Sequence, residues 1–191
     1  MGYLLGLKEY LSDGYNYSIF QQALDSADMW ALHLHGNRVV QAKIVEDLTY
    51  DVKLALDNKK TEELSKIQIK CLYPVNLMEP IKAMLTMNEQ VQAMEIEPIV
   101  KPQDRYVIKN KSLFPLMKQQ QNVVLTLLEG EVLHGIVIGF SRYDLMFLVQ
   151  GIPIVILRHS IYDLQDSNGR SFRKSFQQEH RDWEKSELFC E

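Results

Sequence analysis

Short apolar runs separated by glycines and small polar turns fill residues 123–164. The runs span residues 123–128, 132–140, 144–149, 152–157 and 161–164. Their lengths, and the alternation within the first of them, predict five β-strands. Glu129-Gly130 is typical of a tight hairpin turn between the first two strands. Strands spaced this closely predict a small closed β-barrel, with the longest strand bent at Gly135 and Gly139.

Residues 18–73 follow a similar order of elements. Ser18 can cap a helix whose apolar positions recur at helical spacing. Apolar runs then follow at residues 29–34, 39–48, 52–56 and 64–73, with Gly36 closing the first run and Asp57-Asn58-Lys59-Lys60 forming a turn before the last. In the later region a short helix is likewise expected, at residues 112–121, before its first strand.

The two regions align at their turns. Leu48-Thr49-Tyr50-Asp51-Val52 aligns with Ser141-Arg142-Tyr143-Asp144-Leu145, Lys66-Ile67-Gln68-Ile69 aligns with Arg158-His159-Ser160-Ile161, and Gly36 aligns with Gly130 with a slip of one residue. We interpret this as an internal duplication. The alternative is that two five-stranded modules share this order of strands and turn residues without a common origin. The first copy has diverged more, because Ala42 replaces the mid-strand glycine and Ile67 replaces the histidine.

The duplication predicts five segments. They are an N-terminal extension (residues 1–17), a first domain (18–76), a linker with a helix near its methionines (77–110), a second domain (111–166) and a C-terminal tail (167–191). The linker contains three prolines, and residues 97–104 are expected to be extended. The tail is either a helix that docks through its aromatic side chains or a mobile segment.

The second copy resembles the Sm-like family, and within it the bacterial Hfq proteins. The resemblance is carried, in order, by the helix, Leu128-Glu129-Gly130, Gly135, Gly139-Phe140 and Leu157-Arg158-His159-Ser160-Ile161. It implies a mainly β chain with two tandem Sm-like, SH3-like five-stranded small barrels, each preceded by a short helix. It also implies open sheet edges that pair with neighbouring subunits to close a ring, and single-stranded RNA bound on the faces of that ring.

The resemblance also implies an RNA site. Tyr143 matches the aromatic residue that stacks on uridine in Hfq, Arg142 stands where Hfq often has glutamine, and Arg158 and His159 stand at its lysine and histidine. The remaining candidates are Ser141, which precedes Arg142 and Tyr143, and the aligned Tyr50 and Lys66 of the first copy. Stacking rings and cations are the groups that hold single-stranded RNA. Two features depart from the family. Leu157 replaces an aromatic residue, and residues 118–121 are less basic than the arginine-rich rim of Hfq.

Purely structural roles are open for the same side chains. Tyr143 could cap a barrel end, Arg158 could pair with Asp144 or Asp163, and His159 could be a hydrogen-bonded core histidine. The formal net charge of −4 also argues against bulk electrostatic capture of nucleic acid. Two functions therefore remain. The first is an RNA-binding Sm-like or Hfq-like protein, a post-transcriptional regulator for U-rich or A/U-rich RNA. The second is an oligomeric protein-interaction adaptor that has lost RNA binding.

Other classes of function have little support in the sequence. It has no phosphate-binding glycine loop, no nucleophile elbow and no zinc-protease signature, so no enzyme and no cofactor are expected. His33 and His35 have no third metal ligand in view, and Cys71 and Cys190 belong to no paired metal spacing. No apolar run is long enough for a membrane span. We expect a cytoplasmic homo-oligomer, with three chains forming a pseudo-hexameric ring.

Overall fold

The computed structural model describes residues 2–56 and 60–191, so the predicted turn at residues 57–60 lies outside it except for Lys60. In this part of the chain the strands are β1 (Tyr3–Leu4), β2 (Met29–Leu34), β3 (Arg38–Asp47), β4 (Asp51–Leu56), β5 (Thr61–Ser65), β6 (Ile69–Pro74), β7 (Thr86–Met87), β8 (Asn122–Leu127), β9 (Glu131–Phe140), β10 (Asp144–Val149), β11 (Ile152–Leu157), β12 (Ile161–Asp166) and β13 (Phe189–Cys190). The helices are α1 (Leu7–Asp13), α2 (Ile19–Ser26), α3 (Met78–Met84), α4 (Glu89–Gln92), α5 (Asn110–Lys118) and α6 (Lys174–His180). The prediction of a mainly β chain is confirmed.

Eleven of these strands form one antiparallel sheet, in the order β12-β8-β9-β10-β11-β6-β2-β3-β4-β5, with β7 paired to β9. We call β2–β6 the first unit and β8–β12 the second unit. In both units the fifth strand lies outside the first strand, and the other strands follow in sequence order. The expected closed barrels are not found among the described residues, because the pairing runs as an open path from β12 to β5.

The two units are joined edge to edge. β11 of the second unit pairs with β6 of the first, with Val155 opposite Leu72 and Ile156 opposite Cys71. Val155 also packs into the core of the first unit, whereas Cys71 packs into the core of the second. Because each unit contributes side chains to the core of the other, the junction is part of the folded core.

Equivalent backbone hydrogen bonds recur in the two units. The first pair joins Leu48 N to Asp51 O (3.0 Å) in the first unit and Ser141 N to Asp144 O (2.9 Å) in the second. The second pair joins Lys66 N to Tyr50 O (2.8 Å) and Arg158 N to Tyr143 O (2.9 Å). The third pair joins His35 N to Gln68 O and Leu128 N to Ser160 O (both 2.9 Å). Because His35 and Leu128 are equivalent donors, the residues two positions later, Asn37 and Gly130, are also equivalent. This explains why Gly36 and Gly130 are one residue out of register. Gly130 and Asn37 both have a positive φ, 94° and 57°, a conformation that glycine and asparagine tolerate best.

Bulges bend the long strands at matching points. Val45 is skipped in the pairing of β3 with β4, and Ile138 is skipped in the pairing of β9 with β10. Gly135 lies so close to the carbonyl group of Leu148 that a Cβ atom there would collide with backbone. The glycine therefore permits the close approach of β10 at the bend, as expected from its position in the longest strand.

The N-terminal segment packs against the second unit. The Tyr10 hydroxyl, on α1, donates a hydrogen bond to the carbonyl oxygen of Phe140 (2.8 Å). α2 begins after Ser18, whose hydroxyl accepts a hydrogen bond from the amide of Phe20 (3.2 Å), as the sequence predicts. No helix in the described residues is both long and apolar enough to cross a membrane.

The segment between the units differs from the single helix expected near its methionines. Two short helices, α3 and α4, are separated by β7, which pairs with the start of β9. Asn88 caps α4, because its side-chain oxygen accepts hydrogen bonds from the amides of Gln90 and Val91 (both 3.1 Å). The pairing of β7 and this new cap together interrupt the helix.

The C-terminal segment packs onto the second unit. Phe172 and Trp183 are buried in its core, and β13 pairs with β1, so that Cys190 lies opposite Tyr3. Of the two alternatives for the tail, the structure shows the docked one, although α6 covers only seven residues and is followed by a 3-10 turn at Asp182–Lys185.

Candidate functional site

Two equivalent turns carry the most exposed side chains among the predicted RNA-binding residues. Tyr50 follows β3 and is 78% exposed, and Tyr143 follows β9 and is 54% exposed. The guanidinium carbon of Arg142 lies 5.6 Å from the centroid of the Tyr143 ring, within the range of a cation–π contact. Each turn therefore presents an aromatic ring to solvent, and the second also presents a cation.

Ser141 shapes the second of these turns. Its side chain is buried, and its hydroxyl accepts hydrogen bonds from the amides of Tyr143 (3.0 Å) and Asp144 (3.1 Å). This local pattern is characteristic of serine at a turn. The structure therefore gives Ser141 the task of holding Tyr143 in place, without direct access to a ligand.

Arg158 points into the protein. Its guanidinium donates hydrogen bonds to the side-chain oxygen of Asn110 (3.0 Å) and to the carbonyl oxygens of Ser141 (2.9 Å) and Ile108 (2.6 Å). Burial lowers the pKa of Arg158 below the ordinary arginine value. Neither Asp144 nor Asp163 forms the ion pair considered from the sequence. Arg158 instead connects the turn at Ser141 to Ile108 and to the first residue of α5, Asn110.

His159 links the two units. Its Nε2 atom lies 2.9 Å from the carbonyl oxygen of Ile69, at the start of β6. Burial lowers its pKa to about 4, helped by the charges of Arg105 and His35 and opposed by the carbonyl group of Ile69. The imidazole is therefore neutral at pH 7 and supplies no charge for a phosphate group.

Lys66 is the first-unit counterpart of Arg158 and is similarly occupied. Its ammonium group lies 2.6 Å from a carboxylate oxygen of Asp47, donates to the carbonyl group of Leu48, and sits 5.2 Å from the centroid of the Phe20 ring. Both side chains thus bind the carbonyl group of the residue that opens their turn, Leu48 or Ser141. Lys66 and Arg158 therefore both stabilise the turn of their own unit.

Two supporting residues lie outside the segments from which the site was predicted. The carbonyl oxygen of Tyr15 accepts a hydrogen bond from the amide of Arg142 (2.8 Å), and its hydroxyl accepts one from Asn110 (2.9 Å). Tyr15 belongs to the N-terminal extension, and Asn110 is the first residue of α5. No periodicity or motif distinguishes either residue, so the sequence offers no signal for them.

A cavity of about 300 Å³ adjoins the second turn. The extension contributes Tyr10 and Tyr17 to its lining, and β9 and β10 contribute Phe140 and Asp144. Burial raises the pKa of Asp144, although its hydrogen bonds with Ser141 and Ile19 oppose the shift. The cavity is therefore partly aromatic and partly acidic, and it lies beside Arg142 and Tyr143.

The structure thus separates the predicted residues into two groups. Tyr50, Arg142 and Tyr143 face solvent, whereas Ser141, Arg158 and Lys66 hold the backbone beneath them and His159 joins the two units. Residues 2–56 and 60–191 contain no cluster of three or more histidine, cysteine or acidic side chains arranged to hold a metal ion. No protein-family model matches the sequence, and a search of curated proteins found no significant match.

Proposed function

We propose that this chain binds single-stranded RNA through the exposed turns after β3 and β9. One observation carries the proposal. Tyr143 is exposed beneath the guanidinium of Arg142, and Tyr50 is exposed at the equivalent turn of the other unit. An exposed ring that is held by a rigid turn is a stacking platform for an unpaired base.

The proposal includes a tandem Sm-like origin for the two units. Three observations support it. The strands follow the same order in both units, bulges occur at matching points, and equivalent backbone hydrogen bonds form at the turns. The edge-to-edge pairing of β11 with β6 is also the type of contact by which open sheets of this family would meet in a ring.

Stacking is the main source of affinity in this proposal. A stacked base contributes roughly 1–3 kcal/mol, and one chain offers two platforms. Lys66, Arg158 and His159 are engaged within the protein, so few phosphate contacts form and affinity depends weakly on salt. The acidic net charge of −4 is consistent with a site that relies on rings more than on cations.

Binding of a labelled oligo-uridine, followed by fluorescence anisotropy, tests the proposal. Tyr143→Ala is expected to weaken binding about 5- to 150-fold, the equivalent of one lost stack, and Tyr143→Phe is expected to retain it. Tyr3→Ala is the matched control, because Tyr3 is 56% exposed but lies in β1, away from both turns. If Tyr143→Ala, Tyr50→Ala and Tyr3→Ala all bind as the unmodified chain does, the proposed site is wrong.

A protein-interaction adaptor is the second candidate function. The observation that favours it is the engagement of Arg158 and His159 with backbone carbonyl groups, which removes two of the expected RNA ligands. Tight binding of RNA at physiological salt by a nuclease-treated preparation would argue against this candidate. Absence of binding together with a folded, homogeneous protein would favour it.

A homo-oligomeric ring is part of the same proposal, for a chain whose β12 edge is free to pair with a neighbour. The chain already contains one junction between a fourth strand, β11, and a fifth strand, β6. Three chains would form a pseudo-hexameric ring if the fourth strand of the first unit, β5, paired in the same way with β12 of a neighbour. Size-exclusion chromatography with light scattering measures this directly.

A further inference from the structure

The outer edge of β12 is covered by the chain's own C-terminal segment. The amide of Phe172 donates to the carbonyl oxygen of Leu164 (2.8 Å), and the amide of Asp166 donates to that of Arg170 (3.0 Å). Gln165 and Ser171 form an antiparallel bridge between these two bonds. Residues 170–173, which we call the cap segment, thus act as an additional short strand beside β12.

The cap segment occupies the place of a neighbouring unit. Leu164 pairs with Leu125 of the second unit, as Leu72 pairs with Leu32 of the first, and each follows a bulge at the same point of its strand. In the first unit, Leu72 has Val155 of β11 on its outer side. At the equivalent position Leu164 has Phe172. The backbone groups that would receive another unit's fourth strand are therefore already bonded.

Side chains on β12 also match the cap segment. The Ser171 hydroxyl donates to a carboxylate oxygen of Asp163 (2.6 Å). The guanidinium carbon of Arg173 lies 5.0 Å from the Tyr162 ring centroid and 5.4 Å from that of Tyr106, and its Nε atom lies 3.7 Å from Asp163. Asp163 is almost fully buried under these groups. Removing the cap segment would leave this carboxylate without its nearby cation.

β5 forms the opposite end of the sheet, and no strand within residues 2–56 and 60–191 pairs with its outer side. Leu56 N bonds Lys60 O, and Lys66 N bonds Tyr50 O. Since inward-facing residues alternate along a strand, the backbone groups of Glu63 point outward. Glu63 is the counterpart of Val155, because Lys66 and Arg158 are equivalent and each lies three residues further along the chain.

The two outer edges carry an aromatic ring and a cation at equivalent positions. At the internal junction Lys70 of β6 contacts Glu131 at the start of β9. The counterparts of this pair at the outer edges are Tyr162, the bulge residue of β12, and Arg38, at the start of β3. A second copy docked by β5 would bring Arg38 toward Tyr162, where the cap segment now places Arg173. A second copy would thus supply the cation of this contact from Arg38, which donates to Glu62 of β5 (2.8 and 2.7 Å) and is about half exposed.

We propose that the cap segment is an intramolecular competitor for β5 of a second copy, and that its release from β12 opens the edge for self-assembly. With the cap bound, the chain is a monomer of two units; with the cap released, β12 of one chain receives β5 of another. This inference goes beyond RNA binding, and its test needs no RNA.

The test compares masses by size exclusion with light scattering. The unmodified chain is expected at its monomer mass of 22.3 kDa. Arg173→Glu places a like charge beside Asp163, and is expected to release the cap and at least double the average mass as concentration rises. Adding Glu63→Pro is expected to restore the monomer, because proline removes an outward-facing amide of β5 and leaves the inner ladder intact.

Arg181→Glu is the matched control. It makes the same charge change in the C-terminal segment, but Arg181 is exposed and its charge pairs with Glu184, three residues away. Hydrogen exchange at the Phe172 amide reports the cap itself, and faster exchange is expected in Arg173→Glu alone. Three results would overturn the inference: an unmodified chain that is already oligomeric, an Arg173→Glu chain that stays monomeric, or association that survives Glu63→Pro.

Discussion

Lys70 of the first unit donates a hydrogen bond to Glu131 of the second, and both side chains are largely removed from solvent. Glu129 completes the group, since it also accepts from Lys70 and from the amide of Gly36 (2.6 Å). Burial lowers the pKa of Lys70, but the bonds to the two glutamates outweigh this effect and raise it overall. A buried cation with two carboxylates thus holds the junction between the units.

Replacing Lys70 should destabilise the fold strongly. Lys70→Met leaves Glu129 and Glu131 side by side without their cation, and breaking a buried ion pair from one side costs about 3–5 kcal/mol. The free energy of unfolding from urea titrations measures the loss. Lys53→Met is the control, because Lys53 pairs with Glu46 at an exposed site (3.4 Å), where the cost is below about 1 kcal/mol. Equal losses in the two variants would contradict the structural role of Lys70.

Substitution of Arg158 should lower the stability of the fold, whereas substitution of Tyr143 should lower RNA affinity. Arg158→Met removes three hydrogen bonds to internal acceptors, and we expect a loss of about 2–4 kcal/mol in unfolding free energy. Tyr143→Ala removes an exposed ring and should change stability by less than about 0.5 kcal/mol, while weakening oligo-uridine binding. Urea titration and anisotropy on both variants check this division. The opposite pattern would make Arg158 an RNA ligand and Tyr143 a structural residue.

Stability should fall as the pH decreases from 6.5 toward 4. Burial lowers the pKa of His33 and of His159 to about 4, from an ordinary value of 6.5. Between these values the unfolded chain binds protons that the folded chain does not, so the histidines' contribution is complete above pH 6.5 and is lost by about pH 4. Each contributes roughly 1–3 kcal/mol.

Thermal midpoints measured across that range test the expectation. The doubly substituted chain His33→Gln/His159→Gln should show a shallower decrease than the unmodified chain. His134→Gln, at an exposed position of β9, is the control and should leave the decrease as it is. A double variant that loses stability as steeply as the unmodified chain would show that other groups cause the decrease.

Gly135 and its first-unit counterpart Ala42 allow a paired test of the bend. Gly135→Ala brings a Cβ atom against the carbonyl group of Leu148, and overpacking of this kind costs about 1–3 kcal/mol. Ala42→Gly should cost only about 0.5–1 kcal/mol, through backbone entropy. Urea titration of both variants measures the difference. A tolerated Gly135→Ala would mean that β10 can shift away at little cost.

The apolar periodicity and the turn residues of the sequence were sufficient to predict most strands of both units, but the single run at residues 64–73 holds parts of two strands, β5 and β6. Alternating apolar positions predict β8, Glu129-Gly130 predicts the turn before β9, and the aligned Tyr-Asp pairs mark equivalent turns. These features are local, because each depends on a few neighbouring residues. The prediction of closed barrels was wrong, because closure depends on which strands pair when they are far apart in the sequence. β11 pairs with β6, which precedes it by about eighty residues.

The orientation of the site residues could not be predicted for a similar reason. Whether Arg158 faces solvent depends on Ile108 and Asn110, which follow a proline-rich segment and bear no motif. The cap segment was also missed, because Ser171 and Arg173 read as an ordinary polar stretch until β12 is beside them. Contacts made by irregular backbone leave little trace in hydrophobic periodicity.

The bulge residues Lys70 and Tyr162 show what two units in one chain permit. In a symmetric assembly of identical subunits, a single residue at this position would have to suit every junction. In this chain Lys70, at the internal junction, is a cation that joins the two units, whereas Tyr162, at the outer edge, is an aromatic ring that Arg173 covers. Because the two copies differ, one edge is joined inside the chain, and the equivalent edge is closed by a segment whose release, under our proposal, would open it.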